Sequence, residues 1–182
     1  MLTHAEIDAA RERAREFFDN AGIVLTAEEN ARIEVADFGL SDLDRQGLVL
    51  ITYVNTERVC AKDLVLFAGQ TCPEHRHPPI GDDPGKEETF RCRWGEVYVY
   101  LPGPATPNIV AQVPSSGGPE SHYTVFNEYI LMPGDQVTIP PDTLHWFQAG
   151  DDGAVISEFS TRSRDEYDIF TDPAVVRATQ EG

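Results

Sequence analysis

The chain is poor in cysteine and has no long apolar segment. Its three cysteines, Cys60, Cys72 and Cys92, are odd in number and lack CxxC spacing, which argues against a disulfide framework or a thiolate zinc site. We expect them to be small buried side chains within strands. The N-terminus lacks an apolar core of signal-peptide length, and no run approaches the roughly 20 apolar residues that span a bilayer. These absences predict a cytoplasmic protein.

Basic residues are also scarce. The chain has 14 Lys and Arg against 31 Asp and Glu, which gives a formal net charge of -17. This charge repels the phosphate backbone of nucleic acids and the anionic inner face of membranes, so we expect neither as a partner. The 182 residues, of which 41% are hydrophobic, suit one globular domain with a buried core.

Two kinds of sequence signal, helix capping boxes and short β-rich runs, predict the secondary structure. Thr3 with Glu6, and Thr26 with Glu29, are capping-box signals that predict a helix over 3–18 and a short helix from Thr26 to about Ile33. From about Gly47 onward the pattern changes to short β-rich runs separated by Gly, Pro, Asn and Asp. These runs are 48–54, 63–68, 89–94, 96–101, 122–127, 129–132, 136–140, 144–149 and 154–160. Many short strands without long helices between them favour an antiparallel sandwich or barrel.

The segment 102–120 is rich in Pro, Gly and Ser and could be an interdomain linker. Because short β-rich runs lie on both sides of it, we interpret it as a long loop within one domain. We therefore expect a single domain over 1–182. It would contain an N-terminal helical segment over 1–46, a β-barrel over 47–160, and a C-terminal tail over 161–182 that packs over the barrel.

Two of the five histidines, His75 and His77, are separated by a single residue. On a strand both imidazoles point to the same side, because side chains alternate with a period of two. Glu88 and His145 follow later in the chain. Neutral imidazole nitrogen and carboxylate oxygen suit Zn, Mn, Fe or Co, so these residues predict a site for a divalent metal ion.

The spacing of these residues resembles the two-part pattern of cupins, which are small double-stranded β-helix barrels that hold a divalent metal with three His and one Glu. The first part runs from Gly69 through His75, His77 and Glu88 to Gly95, and the second part runs from Gly134 through Pro140 to His145. The resemblance implies a mainly β cupin jelly-roll barrel with N-terminal helices. It also implies that His75, His77, Glu88 and His145 are the metal ligands.

The chain departs from the cupin pattern in two places. Ten residues separate His77 from Glu88, where the common form has only a few, so 78–87 is an inserted loop. Asp142 stands where glycine is usual.

Longer segments resemble the D-lyxose isomerase family of cupins. They are 33-IEVADFGL-40, 52-TYVNTERVCAKDLVLFAGQTCPEHRHPP-79, 85-GKEETFRCRWGEVYVYLPG-103, 132-MPGDQVTIPPDTLHWFQAG-150 and 157-SEFST-161. The resemblance implies a metal-dependent isomerase that interconverts D-lyxose and D-xylulose, and D-mannose and D-fructose as a second pair. It also implies Mn²⁺ as the metal, with Co, Fe, Ni and Zn as alternatives, and a homodimer.

Such an isomerase moves a hydrogen between C2 and C1 of the sugar, as a proton or as a hydride, and proton transfer needs one base. Glu158 is the first candidate, because it shares a strand face with Ile156 and the family has a glutamate in the same S-E-x-S-T context. Lys86, two residues before Glu88, could polarise or protonate a sugar oxygen. After the last strand, Arg162 and Asp168 are candidates for binding the sugar hydroxyls.

Two other functions remain as alternatives. Two His and one carboxylate also form the facial triad of Fe(II) oxygenases, some of which are cupins. The fourth ligand, His145, and the candidate base and lysine argue against that function. A non-catalytic sugar-binding cupin is the second alternative, but such a protein would not need four intact ligands.

Overall fold

The computed structural model describes residues 2–114 and 121–177. Within them the elements are α1 His4–Asn20, α2 Ala27–Ala31, β1 Glu34–Ala36, β2 Leu48–Asn55, β3 Cys60–Leu66, β4 Thr71–Arg76, β5 Glu88–Leu101, β6 Asn127–Leu131, β7 Gln136–Ile139, β8 His145–Ser160 and β9 Ile169–Phe170. A short 3-10 turn, Asp165–Tyr167, lies between β8 and β9. In this part of the chain, no helix is both long enough and apolar enough to cross a membrane.

Both predicted helices are confirmed, and each begins with a complete capping box. The Thr3 hydroxyl accepts the Glu6 N–H and the Glu6 carboxylate accepts the Thr3 N–H, and Thr26 and Glu29 repeat the arrangement. These bonds satisfy backbone N–H groups that have no partner inside the helix. The apolar side of α1 packs against the outer face of β2 and β3. Its buried residues are Ile7, Ala10, Ala14 and Phe18.

The sheet is antiparallel and is organised by its two longest strands, β5 and β8. They pair along most of their length, and β8 also pairs with β4 through its first half and with β3 through its second half. β6 and β7 pair with the other edge of β5. Register shifts near Gly95 bend β5, so the sheet curls around an apolar interior. The sequence predicted two strands within the range of β5 and two within the range of β8. This prediction was wrong, because a bulge bends a strand without ending its pairing.

Side chains alternate between the two faces of the curled sheet. On β2, Leu48 and Leu50 face the interior, whereas Val49 and Ile51 contact the α1 layer. The three cysteines are buried within strands and unpaired, as expected. Residues 102–114 are a loop, as predicted, and 115–120 lie outside the described residues.

The prediction of a strand over 122–127 was wrong, since the only strand in this region begins at Asn127. Tyr123 packs edge-on against the Trp146 ring, with ring centroids 4.8 Å apart, and Phe126 lies on the same ring at 6.1 Å. The Trp146 indole N–H donates to the Val125 carbonyl over 2.7 Å. The apolar residues of this stretch therefore cover an outer aromatic cluster and do not form a ladder.

Gly95 allows the bend in β5, and its replacement by alanine tests that role. Its φ is +74°, and a Cβ there would lie 2.0 Å from the Gly153 carbonyl oxygen. We expect Gly95→Ala to lower the free energy of unfolding by about 2–4 kcal/mol, from left-handed strain plus overpacking. Urea denaturation measures this loss.

Gly69→Ala is the matched control, because Gly69 has a φ of +66° and no atom within 4 Å of an added Cβ. Only the strain of about 1–2 kcal/mol applies there. Equal losses in the two variants would show that the contact with Gly153 does not matter.

Candidate active site

Four interior positions at one end of the curled sheet carry polar side chains. Each lies two residues from an apolar core residue on the same strand, so period-two alternation directs it into the interior. The pairs are Lys62 and Leu64, Glu88 and Phe90, His145 and Phe147, and Glu158 and Ile156. Register aligns them across strands, since Lys62 and Phe90 both lie opposite Glu158, and His75 lies opposite His145. The interior therefore changes from apolar to ionisable at this end.

Three buried imidazoles meet at this end. The ligand atoms of His75, His77 and His145 all lie within 4.8 Å of one another. The Nδ1 atoms lie near oxygen acceptors: 2.8 Å from the Pro73 carbonyl for His75, 2.9 Å from the Thr143 carbonyl for His145, and 2.5 Å from Asp168 Oδ1 for His77. Nδ1 is thus the donor in each ring, and each Nε2 is the atom that can bind a metal ion once it carries no proton.

Glu88 completes the group. Its Oε1 lies 2.9 Å from His145 Nε2 and 3.2 Å from His77 Nε2. His145 Nε2 is buried without a hydrogen-bond partner despite this proximity. Imidazole nitrogens and a carboxylate oxygen that converge on one point are the ligand types that divalent metal ions prefer, so the donor set fits such an ion.

Burial and the neighbouring charges shift the pKa values of the clustered side chains. Burial and the two neighbouring imidazoles lower the pKa of His75 well below its usual range and keep its ring neutral. Burial alone would raise the pKa of Glu88, but Lys86 and His77 hold it well below the usual range. Burial lowers the pKa of His77, yet the Glu88 and Asp168 carboxylates together outweigh this effect and raise the pKa to about 9. Metal binding would therefore displace a proton from His77.

Lys86 joins the metal-binding group to the candidate base. Its Nζ lies 2.6 Å from Glu88 Oε2 and donates to Glu158 Oε1 over 2.9 Å. Burial opposes the charged form, but these carboxylates raise the pKa of Lys86 well above its usual value. The Ser160 hydroxyl also donates to Glu158 Oε1, over 3.1 Å. Glu158 is thus held beside the centre by two donors.

Lys86 reaches this position from outside the strand, because β5 begins at Glu88. The preceding Gly85 has a φ of +101°, and a Cβ there would lie 2.3 Å from the His77 carbonyl oxygen. This close approach presses the end of the inserted loop against the segment that carries His77. Glycine therefore sets the path by which Lys86 enters the interior.

Asp142 occupies the position where cupins usually have glycine, and its φ is +54°. Aspartate is one of the few residues that adopt this left-handed conformation readily. Its N–H donates to the His77 carbonyl over 3.2 Å, and its carboxylate pairs with Arg76. The departure from the pattern therefore keeps the backbone geometry that glycine supplies.

The two predicted sugar-binding residues lie in different places. Asp168 lines the cavity beside the imidazoles, where its carboxylate is the acceptor for His77 Nδ1. Arg162 does not reach this cavity: it pairs with Glu57 at the surface and lines a neighbouring groove.

A second polar group lines the same cavity, and two of its members, Lys62 and Arg177, were not predicted from the sequence. Lys62 Nζ donates to Asp165 Oδ2 over 2.8 Å and to the Ser163 hydroxyl over 2.9 Å. Arg177 donates to the same Asp165 oxygen over 3.0 Å. Period-two spacing from Leu64 could have indicated Lys62, whereas no sequence signal marks Arg177.

Comparison with known proteins identifies the family. No protein-family model matches the chain. Over 168 residues the chain is 60% identical to the D-lyxose ketol-isomerase of Cohnella laeviribosi, covering 92% of this chain and 91% of that protein. The chain belongs to the D-lyxose ketol-isomerase family. A second relative, the D-lyxose/D-mannose isomerase of Thermosediminibacter oceani, is 56% identical over 177 residues, 97% of either chain. Membership of the D-lyxose ketol-isomerase family makes the chain an enzyme, a sugar isomerase of the aldose-ketose type.

Solved structures agree with the D-lyxose ketol-isomerase assignment in fold. The L-ribose isomerase of Acinetobacter sp. DL28 has a TM-score of 0.70 at 17% identity, over 96% of this chain and 94% of that chain. The L-ribose isomerase of Cellulomonas parahominis has the same TM-score and identity. The mainly β, cupin-like barrel expected from the sequence is thereby confirmed.

Proposed function

We propose that the chain is a metal-dependent isomerase that interconverts D-lyxose and D-xylulose, and also D-mannose and D-fructose. The observation that carries the proposal is the convergence of three buried imidazoles and Glu88 on one point, with the Lys86–Glu158 pair beside it. The names of the two relatives support the choice of sugars. Mn²⁺ is the proposed metal, since imidazole and carboxylate donors suit it.

His75, His77, His145 and Glu88 would hold the metal. A bound divalent ion would act as a Lewis acid that polarises the sugar oxygens at C1 and C2. Four protein ligands leave coordination positions open for these oxygens. Asp168 fixes the ring of His77 through Nδ1 and so keeps its Nε2 directed at the ion.

Glu158 is the proposed base. Its carboxylate takes the proton from C2 of the open-chain aldose and returns it to C1, which gives the ketose. Lys86 and Ser160 hold its Oε1 and so orient the carboxylate. The ammonium group of Lys86 also stabilises negative charge on a sugar oxygen as the C2 proton leaves. Lys86 carries the proton that moves between the sugar oxygens: it donates one proton to the C1 oxygen and takes the C2 hydroxyl proton in return.

Lys62, Asp165 and Arg177 are placed to meet the far end of the sugar chain. They line the same cavity as the imidazoles, and its walls between the two polar groups are apolar. The cavity volume is only about 30 Å³. The cavity must therefore widen to admit a sugar. A cytoplasmic homodimer, expected from the sequence, stays a prediction.

An NMR assay in D₂O tests the proposed function. The metal-stripped protein, with and without added Mn²⁺, is offered D-lyxose, D-mannose, D-xylose and D-ribose. We expect D-xylulose from D-lyxose and D-fructose from D-mannose, only with Mn²⁺, and deuterium at C1 of the product. No ketose from any sugar, with Mn²⁺ demonstrably bound, would overturn the proposal and direct attention to oxygen consumption with Fe(II).

A further inference from the structure

Glu74 is a buried carboxylate that none of the steps above uses. It lies on β4 beside His75 and is 2% exposed. Its Oε2 accepts the N–H groups of Thr124 and Val125, over 2.6 and 3.1 Å. Its Oε1 accepts the hydroxyls of Thr124 and Thr171, over 2.8 and 2.7 Å. Four donors on one carboxylate offset the cost of burying its charge.

These bonds tie three separate parts of the chain together at the metal-binding end. Thr124 belongs to the loop before β6, and Thr171 directly follows β9. The Thr171 N–H also donates to the Glu74 carbonyl, over 3.0 Å. Both the side chain and the backbone of Glu74 therefore hold the C-terminal segment.

The C-terminal segment carries contacts that orient two imidazoles. In β9, Phe170 lies opposite His75, and its ring stacks on the imidazole at 5.2 Å with an angle of 28° between the planes. Asp168, just before β9, accepts from His77 Nδ1. β9 has only two residues, and so short a strand contributes little stability of its own. Its position must be fixed by anchors on either side.

Contacts to the rest of the protein hold the chain on both sides of Asp168. On the N-terminal side, Asp165 binds Lys62 and Arg177. On the C-terminal side, Thr171 binds Glu74. Two residues separate Asp168 from each anchor in sequence. Loss of the bond from the Thr171 hydroxyl weakens the C-terminal anchor, so the positions of Asp168 and Phe170 are fixed less closely.

We propose that Glu74 is a positioning residue of the metal centre, which acts by holding Thr171 so that Asp168 stays on His77 and Phe170 stays on His75. Its effect on turnover rests on the proposed isomerase function. Its effect on metal affinity does not, because binding of Mn²⁺ alone can be measured without a sugar. Glu74 itself contacts neither the sugar nor the metal.

Two matched variants test the proposal. Thr171→Val and Thr124→Val each remove one hydroxyl bond to the same Glu74 oxygen and keep a branched side chain. The metal-stripped proteins are titrated with Mn²⁺, and the free ion is followed by its EPR signal. We expect Thr171→Val to weaken binding about tenfold, at the low end of the range for residues that orient metal ligands. Thr124→Val should stay within about twofold of the wild type on the same reasoning.

Conservative variants separate positioning from general stability. In Thr171→Ser the hydroxyl remains, and we expect wild-type affinity. In Glu74→Gln the amide oxygen can accept the two backbone N–H groups while its NH₂ donates to the hydroxyls, so affinity should be retained better than in Glu74→Ala. A normal Mn²⁺ affinity in Thr171→Val, or an equal loss in Thr124→Val, would overturn the proposal. If the wild type binds Mn²⁺ but converts no sugar, only the isomerase function fails, and the affinity comparison still decides the role of Glu74.

Discussion

Glu158→Gln is expected to lower kcat for D-lyxose by about 10³-fold, within the range that a positioned base contributes, while Mn²⁺ affinity stays near that of the wild type. The amide keeps the size of the side chain but cannot accept the C2 proton. Glu158 contacts the centre through Lys86 and Ser160, not through an imidazole. The variant is assayed for ketose formation and, separately, for Mn²⁺ binding.

Ser160→Ala is the matched control, because it removes the other bond to Glu158 Oε1 and leaves the carboxylate in place. We expect a loss of about tenfold there, since a hydrogen bond to a charged group contributes about 1.5 kcal/mol at the low end and Lys86 still holds the carboxylate. Exchange of the C2 hydrogen with solvent deuterium should disappear in Glu158→Gln together with ketose formation. If Glu158→Gln keeps more than a tenth of wild-type turnover, the base is another residue.

Residues on regular strands were predictable from sequence, since the period of two fixes which side chains share a face. The position of Glu158 two residues after Ile156 predicts that both side chains face the same side. In the structure both face the interior. The same rule, applied from Leu64, would have placed Lys62 inside as well. Lys86 is different, because it precedes β5 and enters the interior through the close approach of Gly85 to His77. Alternation alone does not describe such a loop.

The C-terminal segment was the least predictable part of the site. It has no hydrophobic period, so the sequence could not show which of its charged residues would face inward. Arg162 is at the surface, whereas Arg177 reaches Asp165 beside the cavity. The error over 122–127 has a similar cause: the Thr124 and Val125 N–H groups bind the Glu74 carboxylate and so need no neighbouring strand. Long-range partners of this kind leave no local pattern.

His145→Leu is expected to abolish the stabilisation of the protein by Mn²⁺. His145 is fully buried, and its Nε2 has no hydrogen-bond partner, which makes it the atom most dependent on a metal ion. A free concentration of Mn²⁺ 100 times Kd should stabilise the wild type by about 2.7 kcal/mol and so raise Tm by roughly 5–10 °C. With one of four ligands replaced by an alkyl group, we expect no shift at that concentration.

The metal-free Tm of His145→Leu should stay close to that of the wild type. The lost bond from Nδ1 to the Thr143 carbonyl is offset by removal of the unpartnered Nε2 from its fully buried position. His122→Leu is the matched control, since His122 lies 3.7 Å from Asp172 and does not line the cavity. That variant should keep the full Mn²⁺ shift, measured by thermal unfolding with and without the ion. An undiminished shift in His145→Leu would place the metal elsewhere and remove the basis for the proposed chemistry.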